Sequence, residues 1–191
     1  ITTIVQNIND KQTTMVLGDR EKTLFGTGFI EDVLMGLRFR ISPSSFYQVN
    51  TAQTQVLYKK AIQAAALTGK EHVIDAYCGI GTIGMCMSAK AGRVTGIELN
   101  QQAVKDAKAN AKRNNIKNMR FIAADATEYM TQMSQNGERA DVIVMDPPRS
   151  GSTEAFVRAA ASLKPSRIVY VSCEPETLGR DLAWFRREGY H

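Results

Sequence analysis

Three short segments carry residue types suited to chemistry. Cys173 lies in Val-Ser-Cys-Glu-Pro (171–175), directly after the apolar run Arg167–Val171. That spacing predicts a cysteine at the C-terminal mouth of a buried strand, where α/β enzymes place their reactive groups. Asp-Pro-Pro-Arg (146–149) closes the preceding apolar run in the same way. Upstream, Asp75–Gly84 contains Gly79, Gly81 and Gly84. A thiol, an acidic turn and a glycine loop, each at a strand end, point to covalent chemistry beside a bound cofactor. A cysteine acts as a nucleophile through its thiolate. The helix expected to start near Pro175 favours that anion. Arg149 and Arg180 are candidate positive neighbours, whereas Glu174 opposes the anion unless it turns away. Cys78 and Cys86 read as packing residues, and His72 and His191 offer no catalytic dyad.

The loop Gly79-Ile-Gly81-Thr82-Ile-Gly84 follows a predicted strand and opens a helix. Glycines there allow a tight turn and a close approach of backbone to ligand. Glu98 ends the next strand, nineteen residues after Gly79. A carboxylate so placed can accept both ribose hydroxyls of a nucleotide. To this point NAD and S-adenosylmethionine fit equally. Three features favour S-adenosylmethionine. Asp75 precedes the glycines, near where a methionine moiety would lie. Asp125 ends the third strand, where it can meet the adenine amino group. The Asp146 turn ends the fourth, where methyltransferases place substrate contacts.

Composition sets the frame for these residues. In a chain of 191 residues, 43% hydrophobic and 23% charged content is that of a globular protein with one sizeable core. The longest apolar runs are strand-sized, so no membrane span is expected. The opening Ile1-Thr-Thr-Ile-Val lacks an initiator methionine and a signal-peptide pattern, and reads as an entry into a larger protein. Three cysteines without CxxC or metal-ligand spacing predict free thiols, no metal site and a reducing cytoplasm. The net charge of +5 is concentrated in Lys105, Lys108, Lys112, Arg113, Lys117 and Arg120, and in Arg180, Arg186 and Arg187. Such clusters either face phosphates or form a solvated helix face.

Positioning falls to an α/β framework. Residues 1–41 read as a β-rich remnant of a preceding domain, with strands at Thr13–Leu17, Thr23–Phe25 and Leu37–Ile41. Ser42–Ser45, with Pro43, marks a boundary, and 42–191 forms the second unit. Helices are expected at Thr51–Thr68, Thr82–Lys90, Gln101–Asn114, Thr127–Gln135, Thr153–Leu163 and Thr177–Glu188. Asn50 or Thr51 caps the first, Gly69 stops it, and Asn100 caps the third. Strands alternate with them at His72–Asp75, Arg93–Glu98, Met119–Ala123, Asp141–Met145 and Arg167–Val171. Repeated β-α units with right-handed crossovers give a mostly parallel sheet with helices on both faces.

Read in order, Phe46–Asn50, Asp75–Gly81, Gly96–Glu98, Asp146–Arg149 and Ser172–Asp181 resemble the RNA (uracil-5-)-methyltransferases that modify 23S ribosomal RNA or transfer RNA. The likeness spans the chain, and Ile1–Asn50 is most similar to the 23S ribosomal RNA branch of bacteria such as Firmicutes. The resemblance implies a Rossmann-like class I S-adenosylmethionine-dependent fold and an RNA partner. It implies that Cys173 adds to C6 of a uracil, that C5 then takes the methyl group, and that a base removes the C5 proton before the thiolate leaves. Gln48, Tyr77, Glu98 and Asp146 match cofactor-contacting positions. They join Gly79, Gly81, Thr82 and Asp125 of the nucleotide site. Phe46, Gln48, Asp146 and Arg149 are the implied substrate contacts, with Phe46 stacking on a base that must leave its stack.

Two departures stand out. Glu174 follows the cysteine where the family commonly has Asn. The chain also stops at His191, where the family continues through two more strands and a glutamate proposed to take the C5 proton. An RNA-binding β-barrel and, in some members, an iron–sulfur site would precede Ile1. The expected object is a catalytic-domain fragment, able to hold the cofactor and poor at turnover. The alternatives are methylation of cytosine C5 or of an exocyclic amine, a cofactor- or RNA-binding module without catalysis, and an NAD dehydrogenase. Amine methylation usually goes with an aromatic residue after Pro-Pro, where Arg149 stands here.

Overall fold

Glycine-punctuated apolar runs at the start of the chain fold into two antiparallel hairpins. In the computed structural model, which describes residues 1–10, 16–18 and 20–191, β1 (Thr3–Ile8) pairs with β2 (Arg20–Gly26), and β3 (Ile30–Leu34) with β4 (Leu37–Ile41). The second hairpin turns through Met35 (φ 51°) and Gly36 (φ 82°). Two successive positive φ values define a two-residue turn whose twist matches that of the strands it joins. Of the strand expected at Thr13–Leu17, residues 13–15 lie outside the described residues, and Val16 and Leu17 form a bend. β1 and β3 were not expected as separate strands: their Asn, Asp and Glu residues weaken the β signal.

The rest of the chain alternates as anticipated: α1 (Thr51–Ala65), β5 (His72–Ala76), α2 (Thr82–Ser88), β6 (Arg93–Glu98), α3 (Gln101–Arg113), β7 (Met119–Ala123), α4 (Ala126–Gln135), β8 (Val142–Met145), α5 (Glu154–Ser162), β9 (Arg167–Tyr170) and α6 (Pro175–Arg187). The five strands β5–β9 form one parallel sheet in the order β7-β6-β5-β8-β9. α1, α2 and α3 cover one face, with a core that includes Tyr58, Ile83, Val104 and Phe121. α4, α5 and α6 cover the other, around Met130, Phe156 and Phe185. β5 and β8 are buried along their whole length, as parallel strands covered on both faces must be.

The differences from expectation have local causes. α1 stops at Ala65 because Ala66 adopts the left-handed conformation (φ 46°) that closes a helix, before Gly69 is reached. α6 starts at Pro175, as the expected onset near that residue requires and two residues ahead of the Thr177–Glu188 range; the fixed φ of proline suits the first turn. β9 is half-buried rather than buried, since it forms an edge of the described sheet and pairs only with β8.

The β3–β4 hairpin is fastened to α3. Asn110 accepts from the Arg40 N–H (2.8 Å) and donates to the Arg40 carbonyl (3.1 Å). One turn on, Asn114 does the same for Arg38 (2.9 and 2.8 Å). The two side chains stand in for a neighbouring strand along the open edge of β4. Ser42 and Ser45 extend the seam by donating to Asp106 (2.7 and 3.2 Å). Leu34, Phe39 and Ile41 thereby enter the same apolar cluster as α1–α3.

Candidate functional site

Parallel pairing points every carboxyl end of the five strands to one edge. The loops after β5, β6, β7, β8 and β9 therefore converge there, and they hold Tyr77–Gly81, Glu98, Asp125, Asp146–Arg149 and Cys173. From β5 the chain winds through β6 and β7 to one side, and through β8 and β9 to the other. Such a switch point opens a crevice at the carboxyl ends, where doubly wound sheets bind ligands.

The glycine loop is braced from both sides. Gly81 N–H donates to Cys78 O (2.7 Å), which closes the turn. Gly79 N–H donates to Glu98 Oε2 (3.0 Å), and Asn100 N–H to Glu98 Oε1 (2.8 Å). Each Glu98 oxygen keeps a further lone pair for an incoming hydroxyl. A Cβ on Gly81 (φ 83°) would lie 2.7 Å from the Phe121 ring, so the turn needs glycine for space as well as for conformation. A Cβ on Gly79 would meet nothing within 4 Å, which leaves open room above the loop.

Asp75 sits beneath the loop and is only 1% exposed. Its Oδ2 accepts from Gly84 N–H (2.8 Å) in the first turn of α2. Burial pushes its carboxyl up to about 7, against the pull of that N–H, and Asp146 and Glu98 add to the rise. Asp75 is thus a strut that holds α2 to β5, rather than an open ligand contact.

The Gln48 side chain lies against Asp146. Burial raises the Asp146 carboxyl to about 6, while a hydrogen bond from the Gln48 side chain opposes the rise. Thr82, at the start of α2, shares a hydrogen bond of 2.8 Å with the buried phenol of Tyr58 on α1. Tyr58 feels the charges of Asp146 and Asp75, so these groups share one pocket of field. Asp32 fixes the segment that carries Gln48 and Phe46, accepting from Tyr47 (3.1 Å) and Thr51 (2.9 Å). Phe46 is 74% exposed beside Val49, an aromatic ring offered to solvent.

A second network ties the Asp146 turn to α6. Asp181, fully buried, accepts from Ser152 N–H (2.6 Å) and the Tyr170 hydroxyl (2.7 Å). Arg180 pairs with Asp181 and donates to the carbonyls of Ser150 (2.9 Å) and Ser152 (3.0 Å). Thr177 donates to Arg149 O (3.1 Å). Tyr77 joins from the glycine loop through Ser152 Oγ (3.1 Å) and stacks on Phe156, centroids 5.1 Å apart. Arg180 is therefore committed to the 150–152 backbone and to the Trp184 ring, not free to face a thiolate as expected.

Val171 N–H donates to Met145 O (2.9 Å), so the β8–β9 ladder runs up to the residue before Asp146. Cys173 stands two residues beyond that bond, exposed, immediately before the N-cap of α6. The cap residue Glu174 makes no side-chain capping bond. The first-turn N–H groups of α6 are thus left without a side-chain cap at the end of the helix that follows Cys173. Ser172 Oγ accepts from Glu174 N–H (3.1 Å) and shapes the loop. Arg149 is exposed on the neighbouring turn. Asp125 caps α4 through Oδ1, accepting from Thr127 N–H (2.8 Å) and Glu128 N–H (3.1 Å). Cys78 is buried, and burial raises the thiols of Cys78 and Cys86, the latter to about 12. Tyr58, Ser152 and Asp181 escaped the sequence reading. The bonds Tyr58–Thr82, Tyr77–Ser152 and Ser152–Asp181 join residues 24 to 75 apart, and only the Ser172–Asp181 motif hinted at one of them.

A protein family described as tRNA (Uracil-5-)-methyltransferase matches residues 13–188, and the chain belongs to it. An uncharacterised RNA methyltransferase of Listeria innocua is 51% identical over 190 residues, covering 100% of this chain and 42% of that protein. One from Enterococcus faecalis is 49% identical over 190 residues, with the same coverage. The chain thus spans less than half the length of these curated relatives. Among solved structures, the Pyrococcus abyssi tRNA (uracil-54, C5)-methyltransferase in complex with S-adenosyl-L-homocysteine aligns with TM-score 0.80 at 30% identity, over 96% of this chain and 44% of that one. A methyltransferase dependent on S-adenosylmethionine, from Agrobacterium tumefaciens, aligns with TM-score 0.68 at 16% identity, over 90% of this chain and 63% of that one, and shares the fold.

Proposed function

We propose that this family member is the catalytic portion of an S-adenosylmethionine-dependent RNA (uracil-5-)-methyltransferase acting through Cys173. The observation that carries the reading is the juxtaposition of the Cys173 and Asp146 loops on paired strands, beside a glycine loop braced by Glu98. The cofactor fits the residues present. The space above Gly79 is open, Glu98 retains acceptor capacity, and Asp125 holds its cap through Oδ1 and leaves Oδ2 for the adenine amino group. Gly81 and Thr82 shape the loop around it, and Tyr77 flanks it. When bound, the sulfonium supplies an electrophilic methyl group.

The protein's part is to make uracil C5 nucleophilic. The Cys173 thiolate adds to C6, forming an S–C6 bond and moving the C5=C6 electron pair into an enolate. C5, made nucleophilic by that addition, would then take the methyl group that the bound sulfonium gives up. The C5 proton then passes to a general base. Elimination of the thiolate restores C5=C6. Gln48 and Asp146 orient the uracil edge and the methionine end, Phe46 stacks on a neighbouring base, and Arg149 meets a phosphate. The Thr177–Arg149 bond ties the start of α6 to the Asp146 turn, and the α6 dipole favours the thiolate over the thiol.

The organisation we propose is a β-rich segment over 1–41 and a methyltransferase unit over 42–191. We place the protein in the cytoplasm, with ribosomal RNA as its target. No helix among the described residues is long and apolar enough to cross a membrane. Nucleoside digests of RNA from cells with and without the gene test this. Loss of 5-methyluridine from ribosomal RNA is expected. Loss from transfer RNA would move the target, and loss of 5-methylcytidine or of a methylated amine would refute uracil C5 chemistry.

A further inference from the structure

Away from the carboxyl edge of the sheet, a cavity of about 560 Å³ lies between α3 and β7. Lys108, Lys112, Lys117 and Arg120 rim it, over an apolar floor that includes Ile116 and Phe121. No carboxylate lines it, and Lys105 continues the row toward the N-terminus of α3. Among the described residues these five cations make no ion pair, whereas Arg113 on the same helix is paired with Glu31. Arg120 is also preset. Its Nε donates to Thr95 Oγ1 (3.1 Å), which leaves the two terminal nitrogens to face outward.

A solvated helix face would intersperse opposite charges or pair them. Here the acidic residues of α3 and its surroundings are used elsewhere: Asp106 faces inward to Ser42 and Ser45, and Glu31 is taken by Arg113. From Lys105 to Lys112 the helix rises about 10 Å, room for two or three phosphates of one strand. α3 begins directly after the Glu98 loop, so the row leads from the candidate active site down the flank of the sheet.

We propose that this groove is a second contact for the RNA substrate, holding its phosphodiester backbone outside the active site. The inference rests on the methyltransferase reading, and it names where the substrate extends once its target base is in the pocket. The recognition is electrostatic and not base-specific, so the groove adds affinity and register rather than sequence choice.

The test is fluorescence anisotropy of a labelled RNA stem–loop titrated with the protein across salt concentrations. Lys112→Gln/Lys117→Gln is compared with Lys59→Gln/Lys60→Gln, which removes the same charge from exposed sites on α1. Losing two phosphate contacts should shrink the slope of log affinity against log salt by about 1.4–1.8 and weaken binding by about 25- to 60-fold near 0.1 M salt. The α1 pair should change little. Equal losses in both pairs would reduce the effect to net charge and overturn the groove. So would unchanged RNA affinity, or a loss confined to vesicles of anionic phospholipid. Binding of S-adenosylhomocysteine and trapping by 5-fluorouracil RNA are measured on the same variants. If trapping fails in the unsubstituted protein, the methyltransferase reading falls; if only the RNA affinities are unmoved, the groove alone falls.

Discussion

The acidity of two carboxylates gives the site a pH signature. Burial raises the ordinary value of 3.8 to about 7 at Asp75 and to about 6 at Asp146. Between about pH 4 and 7 the folded protein therefore binds protons that the unfolded chain releases. The contribution of these two groups to stability is largest below that window, falls as pH rises through it, and levels off above. Glu71, held down to about 2 by its hydrogen bonds to Thr68, acts the other way at acid pH. Denaturation midpoints across pH check this, and Asp75→Asn should flatten the slope. Ligand binding should run the other way at Asp146. A cationic methyl donor favours the ionised carboxylate, so its affinity should drop as pH falls below about 6. Calorimetry with S-adenosylmethionine and with its neutral-sulfur product separates the two, because the product should lose less.

The elements are held by side chains reaching between them, and this decides how far the site could be read in advance. Local signals were strong where a cap or a glycine sets an element: Asn50, Asn100 and Asp125 all accept first-turn N–H groups at the helix starts. Glu98 ends β6 where the sequence put it, because strand–loop–helix spacing is a chain-local property. Tyr58, Ser152 and Asp181 were not legible, since each acts on a partner brought near only by the sheet. Arg180 was misread for the same reason: sequence proximity to Cys173 suggested an electrostatic role, whereas the 150–152 carbonyls claim its donors. Asp181→Asn should cost about 2–3 kcal/mol, as it removes a buried charge that Arg180, Ser152 and Tyr170 all address. Asn110→Ala should cost about 2 kcal/mol, because it strips the partners from the Arg40 backbone in a buried position. Asn114→Ala should cost less, where water can replace the lost bonds. Chemical denaturation of the three variants gives the order.

At the scale of the whole molecule, the carboxyl edge of the sheet gathers the cofactor loop, the Asp146 turn and the thiol, while the flank at α3 and β7 offers positive charge. The parallel sheet keeps these two surfaces in fixed relation, and α3 runs from one toward the other. The proposed function puts bond-making on the first surface, and the proposed groove puts backbone affinity on the second. The central claim is the bond between Cys173 and C6 of uracil. RNA containing 5-fluorouracil tests it most directly: fluorine at C5 leaves no proton to remove, so the adduct persists whichever base would finish the reaction. With S-adenosylmethionine present, mass spectrometry of the digested complex should find the methylated, fluorinated nucleotide attached to the peptide carrying Cys173. Cys173→Ala should give none while still binding S-adenosylhomocysteine. An adduct that survives that substitution, or one mapped to Cys78 or Cys86, would contradict the account.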